Sequence, residues 1–234
     1  MYDDLSQIIA QFIGGTIMKI IPLELPDLML VELDFYGDQR GFFLERFNKE
    51  LFAKIGLPVA FAQLNHSRSS PKVLRGLHYQ FNPPQGKLIG VVHGAIWDVA
   101  VDIRPDSPTF GKHATVELSD INGKLLFIPS GFAHGFCVLG NESADVLYMV
   151  DNTYNPHGEG GILWSDPQLK INWPVSDPII SAKDQKQPSF EVYRTSQTAN
   201  AFNPKAHGSP YQCCAQYKRG PMVGQKKNSL DQET

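Results

Sequence analysis

Ionisable and hydrogen-bonding side chains crowd into three stretches of this 234-residue chain: Gln63-Leu64-Asn65-His66-Ser67-Arg68; Leu74-Arg75-Gly76-Leu77-His78-Tyr79-Gln80, followed by Gln85-Gly86-Lys87; and Phe132-Ala133-His134-Gly135-Phe136. A lone His in a strand is ordinarily a hydrogen-bonded structural residue, and a lone Lys or Arg a solvated one. Gathered together, imidazoles, tyrosines, arginines and a lysine suit proton transfer beside a carbonyl while an anion is gripped. A metal cup built from histidines on two strands is the competing reading, and the spacing resists it. Gln80 stands where a His-x-His pair needs its second imidazole, no Glu follows before Lys87, and His134 has no acidic neighbour in the chain. The Lys87 cation would also oppose a divalent ion beside it. There is no Gly-x-Ser-x-Gly elbow, and Gly158-Glu159-Gly160-Gly161 lacks the strand-to-helix setting and following Lys-Ser/Thr of a phosphate loop.

The elements that must position these residues read as strands. Between residues 18 and 188 short apolar runs alternate with turn signals such as Tyr36-Gly37-Asp38, Asn82-Pro83-Pro84 and Pro105-Asp106-Ser107-Pro108, the rhythm of an all-β sandwich or barrel. In Ile96 to Ile103 the alternation puts Trp97, Val99, Val101 and Ile103 on an apolar face and Asp98 and Asp102 on a polar one. Val146, Tyr148 and Val150 share a face, Asn122-Gly123 signals a hairpin before Leu125-Leu126-Phe127-Ile128, and residues 47–56 read as one short helix. Strict alternation would send Arg75 and His78 to opposite faces. Gly76 between them offers a bulge that would let them share a pocket.

Both ends differ from this middle. In residues 1–17, an N-terminal extension, Ile8, Ile9, Phe12 and Ile13 have the spacing of a short helix closed by Gly14-Gly15. Residues 189–234 are polar with scattered apolar positions, which predicts a largely disordered tail. A formal charge of −3 argues against nucleic-acid and membrane-surface partners. Three cysteines without Cys-x-x-Cys spacing, no apolar run of membrane-spanning length and Asp3-Asp4 at the start predict a cytoplasmic protein.

Asp38-Gln39-Arg40-Gly41-Phe42-Phe43-Leu44-Glu45, Gln63-Leu64-Asn65-His66-Ser67, Val73 to Gln80, Gly86-Lys87-Leu88, Asp98 to Arg104, Pro108-Thr109-Phe110-Gly111, Ile128-Pro129-Ser130-Gly131-Phe132-Ala133-His134-Gly135-Phe136 and Ser181-Ala182-Lys183-Asp184 occur in this order. In that series the chain resembles the dTDP-4-dehydrorhamnose 3,5-epimerases from about Met18 to Asp184. The resemblance implies a metal-free cupin jelly roll, a homodimer and no cofactor. It implies a dTDP-sugar substrate, dTDP-4-dehydro-6-deoxy-D-glucose, converted to dTDP-4-dehydro-L-rhamnose on the route to dTDP-L-rhamnose for cell-surface polysaccharide.

Both inverted carbons of that sugar flank the C4 ketone, so each C–H is acidified through an enolate, and the reaction needs a base, an acid and oxyanion support. His78 is the natural base, since an imidazole takes a proton near neutral pH without prior activation. The resemblance makes Asp184 its partner, Tyr148 the acid on the other face and Lys87 the stabiliser of the enolate oxygen. It places Arg40, Glu45, Gln63, Leu64, Asn65, Arg75, His134, Glu159 and Lys183 against the substrate, with Tyr154 stacked on thymine. Gln39 and Leu64 stand where acidic residues are common in the family. An epimerase acting at C3 or C5 alone, a non-catalytic nucleotide-sugar-binding cupin and a metal-dependent cupin are the alternatives.

Overall fold

The run Leu125-Leu126-Phe127-Ile128 has no polar side to turn to water, so a strand there must be covered on both faces. A computed structural model describes residues 9–13 and 16–202. Its strands are β1 (Ile9–Ile13), β2 (Thr16–Pro22), β3 (Met29–Leu33), β4 (Tyr36–Asp38), β5 (Gly41–Phe43), β6 (Gln63–Ser69) and β7 (Leu74–Gln80). They continue with β8 (Lys87–His93), β9 (Ala95–Asp102), β10 (His113–Ser119), β11 (Lys124–Ile128), β12 (Phe132–Val138), β13 (Ala144–Val150) and β14 (Glu159–Gly161). The helices are α1 (Lys49–Lys54), α2 (Phe190–Arg194) and α3 (Gln197–Asn200), with a 3-10 turn at Asp184–Lys186.

The strands build a seven-stranded sheet, β1-β2-β3-β11-β8-β13-β6, a five-stranded sheet, β10-β9-β12-β7-β14, and the separate hairpin β4-β5. The two large sheets pack face to face through Leu30, Ile89, Leu126, Ile128 and Val146 from one and Ile96, Ala100, Leu118, Phe132 and Phe136 from the other. This is an all-β sandwich, as the turn rhythm signals, of the jelly-roll type that the resemblance implies. The alternate residues Leu125 and Phe127 face outward, under Leu51, Phe52 and Ile55 of the α1 region. Asn48 caps α1 by accepting from the Glu50 and Leu51 amides, so the expected short helix starts where its sequence provides a cap.

Four sequence expectations change. Residues 9–13 form β1, paired antiparallel with β2, because an open sheet edge offers the backbone partners that a short isolated helix would lack. Residues 1–8, Gly14 and Gly15 lie outside the described residues. Order does not stop at 188: Phe190, Tyr193, Ala199 and Phe202 are buried against Leu77, Val99, Val101 and Ile103 on the outer face of the five-stranded sheet. Scattered apolar spacing suits a segment of two short helices and a turn, and the remainder of the expected tail, 203–234, lies outside the described residues.

The Asn122-Gly123 turn forms, with Gly123 at φ 60°, but it is a corner rather than a hairpin, since β10 and β11 belong to different sheets. The polar side of β9 faces the interior. Asp98 and Asp102 are fully buried, while Trp97, Val99, Val101 and Ile103 lie beneath the C-terminal layer. Among the described residues no helix is long and apolar enough to cross a membrane.

Candidate active site

Strand β7 departs from regular pairing where the sequence offers a glycine. His78 pairs with His134 and Arg75 with Phe136, so β7 carries one residue more than β12 between the two pairs. Gly76 adopts φ 123°, and a Cβ there would lie 2.5 Å from the Gly135 Cα and 2.8 Å from the His134 carbonyl oxygen. Only glycine fits that approach. The extra residue brings Arg75 and His78 to one cleft of about 340 Å³, bordered on its other side by Ile179, Ser181, Lys183 and Asp184. Leu77 and Tyr79 point outward into the C-terminal core, which leaves His78 on the inner face.

His78 is held from the far end of the domain. Its Nε2 lies 2.7 Å from Asp184 Oδ1, across 106 residues of chain. Asp184 is 3% exposed; its Oδ2 accepts from the Gly76 amide at 3.2 Å, and its own amide donates to Ser181 Oγ at 3.0 Å. Burial pushes the Asp184 carboxyl up, but the His78 hydrogen bond and charge and the Gly76 amide outweigh it and hold the group below the usual carboxylate range. An ionised carboxylate can only accept, so Nε2 carries the hydrogen, and Nδ1 is the ring atom that holds the lone pair whenever the ring is neutral.

The facing sheet supplies Tyr148 and Lys87. Tyr148 is opposite Asn65 of β6 and Ile89 of β8 and packs against the inner core. Burial raises its phenol, Arg75 opposes and Glu159 adds to the rise, so the hydroxyl keeps its proton. Lys87, at the start of β8, is pushed down to about 8 by burial, against the pull of Glu159 and Asp98. His134 Nε2 meets Asp98 Oδ2 at 2.9 Å, and burial pushes this imidazole down, so it stays neutral.

A hydrogen-bonded arc forms the rim. Gln63 Nε2 donates to Asn65 Oδ1 at 2.7 Å, the Tyr154 amide donates to Gln63 Oε1 at 2.9 Å, and the Tyr154 hydroxyl donates to Glu159 Oε2 at 3.0 Å. Lys183 closes the arc by an ion pair with Glu159, which raises the lysine. Tyr154 is 53% exposed, leaving its ring open to solvent.

Three expected contacts are not assembled here. Leu64 faces away, 62% exposed, because β6 alternates and its pairing partner Met149 lies against the outer core. Arg40 sits at the turn of the β4-β5 hairpin, exposed and ion-paired with Asp38. Glu45 accepts from Asn48 Nδ2 at 3.2 Å beside the start of α1. Asp98, which bonds His134, was not singled out as a site residue; the signal was an Asp on the second face of a strand that lies inside its sheet, between β10 and β12. Among the described residues no group of three or more His, Cys, Asp or Glu side chains is gathered as a metal-ligand set.

Residues 22–192 match the family model described as dTDP-4-dehydrorhamnose 3,5-epimerase. The chain is 52% identical over 169 residues to the dTDP-4-dehydrorhamnose 3,5-epimerase of Shigella flexneri, covering 71% of this chain and 93% of that one. It is 37% identical over 170 residues to the dTDP-4-dehydrorhamnose 3-epimerase of Streptomyces niveus, covering 72% and 82%. Among solved structures it is similar to a dTDP-6-deoxy-D-glucose-3,5-epimerase from Legionella pneumophila in complex with dTDP-4-keto-L-rhamnose. That match has 44% identity and a TM-score of 0.72 and covers 75% of this chain and 94% of the other.

Proposed function

This chain belongs to the dTDP-4-dehydrorhamnose 3,5-epimerase family, and from that premise we propose that it inverts C3 and C5 of dTDP-4-dehydro-6-deoxy-D-glucose to give dTDP-4-dehydro-L-rhamnose, the step that leads to dTDP-L-rhamnose. The observation that carries this reading is His78 on one sheet, paired with Asp184 from the 3-10 turn, across from a protonated Tyr148 and a cationic Lys87 on the other sheet. Nδ1 of His78 takes the proton from C3 or C5, and Asp184 stabilises the imidazolium formed. Charge moves to the C4 oxygen, where the Lys87 ammonium meets it; one such donor is worth ~10²–10³ in rate. Tyr148 returns a proton to the opposite face, which inverts the centre. Arg75 suits the diphosphate, Asn65 and Gln63 the polar rim, His134 the inside of the cup, and Tyr154 the thymine, its hydroxyl held by Glu159, which Lys183 pairs in turn.

Arg40 and Glu45 join the site of a second copy in this reading. The β4-β5 hairpin leaves Phe42 and Phe43 63% and 66% exposed, an apolar surface suited to burial in a homodimer, and Arg40 lies beside them. Sedimentation equilibrium should give a dimer, and Phe42→Glu with Phe43→Glu should give monomers of low activity. A cytoplasmic location fits the same reading and the buried free thiol of Cys137.

The deciding experiment incubates chelator-treated protein with the substrate in D₂O and follows deuterium at C3 and C5 by NMR, with His78→Ala alongside. Inversion at both carbons, lost in the variant, is the expected result. Exchange at a single carbon favours the second reading, a single-centre epimerase like the Streptomyces niveus relative, and none at all leaves a binding protein.

A further inference from the structure

Asp98 is a buried carboxylate to which the reaction as described gives no task. It lies within β9, fully buried, on the inner face with Ile96 and Ala100. Oδ2 meets His134 Nε2 at 2.9 Å, and Oδ1 is buried with no hydrogen-bond partner among the described residues. His134 pairs with His78 on β7, so neighbouring strands set Asp98, His134 and His78 side by side across the sheet. Burying a carboxylate on one hydrogen bond costs more solvation than that bond returns. A residue needed only to fill the space would be apolar.

Resting on the epimerase reading above, we propose that Asp98 is a positioning residue: its buried charge fixes His134 through Nε2 and supplies, with Glu159, the negative field in which the Lys87 ammonium stays charged to meet the enolate oxygen. The neighbourhood supports this. Lys87 is disfavoured as a cation by burial, and Glu159 and then Asp98 oppose that loss. From the other elements lining the cup, His134 and His78 face it from the opposite sheet, with Asp184 behind His78; Tyr148 and Arg75 lie in the same cup, and Asp151, next to Lys87's pairing partner Val150, accepts from the Gly86 amide. His134 is neutral because burial outweighs Asp98. It therefore adds no competing positive charge beside Lys87, and Asp98 acts on the lysine through an uncharged imidazole.

Asp98→Asn tests the charge alone, since the amide oxygen still accepts from His134. In enzyme labelled at the lysine ε-carbon, with the Lys87 signal assigned by its loss in Lys87→Met, the variant's Lys87 should titrate about one pH unit lower. Turnover should then be nearly unchanged at about pH 6, down about twofold at about pH 7 and about tenfold at about pH 9, with KM within about twofold. Glu159→Gln should lower the Lys87 titration in the same direction. An unmoved Lys87 titration together with a deficit equal at every pH would leave Asp98 a purely structural residue and overturn the proposal. So would a wild-type Lys87 titrating in the ordinary lysine range, which requires no variant. A shifted Lys87 titration in a protein that epimerises nothing would retain the role of Asp98 and sink the reaction. Asp98→Ala, read by the same titration, replaces the Asn variant should that one not fold.

Discussion

The two halves of the cup to which the proposed reaction gives the base and the acid are built by different means. His78 is placed by partners: a bulge at Gly76 turns it inward, and a carboxylate from 106 residues away grips its Nε2. Tyr148 and Lys87 are placed by the stretch of β13–β8 pairing from Val146 to Val150, which is regular beyond the shift between Asp145 and Val146. Among the described residues neither the Tyr148 hydroxyl nor the Lys87 ammonium has a hydrogen-bond partner; what tunes both is burial. A base needs one defined tautomer, which a fixed acceptor enforces. An acid and an oxyanion partner need donors left free for the substrate, and desolvation changes their readiness to give a proton without occupying them.

That contrast can be broken at four points. His78→Asn should have the largest effect, ~10³–10⁴ in kcat, with deuterium exchange lost at both carbons. Tyr148→Phe should cost ~10²–10³ in epimerisation yet retain exchange, because the base half remains intact; loss of exchange in both variants would show that the halves are not separable. Gly76→Ala should destabilise the fold by ~2–4 kcal/mol in chemical denaturation, since a Cβ meets backbone on both sides of the bulge. Wild-type stability in that variant would mean that β7 is free to straighten. Lys87 should set the smallest effect. In the proposed reaction its cation is the working form and its burial brings it to about 8, so the alkaline limb of kcat/KM should fall about tenfold per pH unit above about pH 8. Lys87→Arg should remove that limb from the accessible range if it keeps the position.

Local patterns carried much of this in the sequence itself. The turn rhythm, the short helix within residues 47–56 and the glycine between Arg75 and His78 each state a short-range rule that the fold obeys, and the motifs around His78, Lys87 and His134 name their chemistry by residue type alone. What failed to read locally is what depends on a second layer. Ile9 to Ile13 have helical spacing and became a strand because β2 offers an edge. Phe190, Tyr193 and Phe202 look scattered until the outer face of the five-stranded sheet provides one place to bury them. Asp98 reads as the solvent side of an amphipathic strand, and packing of the opposite sheet makes it interior.

For the site the division is the same. The sequence by itself determined which groups can move a proton, because acidity and hydrogen-bonding capacity belong to the side chain. Tertiary structure decided which of them meet. Asp184 reaches His78 only through the fold, while Leu64, Arg40 and Glu45 share motifs with site residues and lie outside this copy's cup, because face and neighbour are set by pleat, pairing and burial rather than by spacing along the chain.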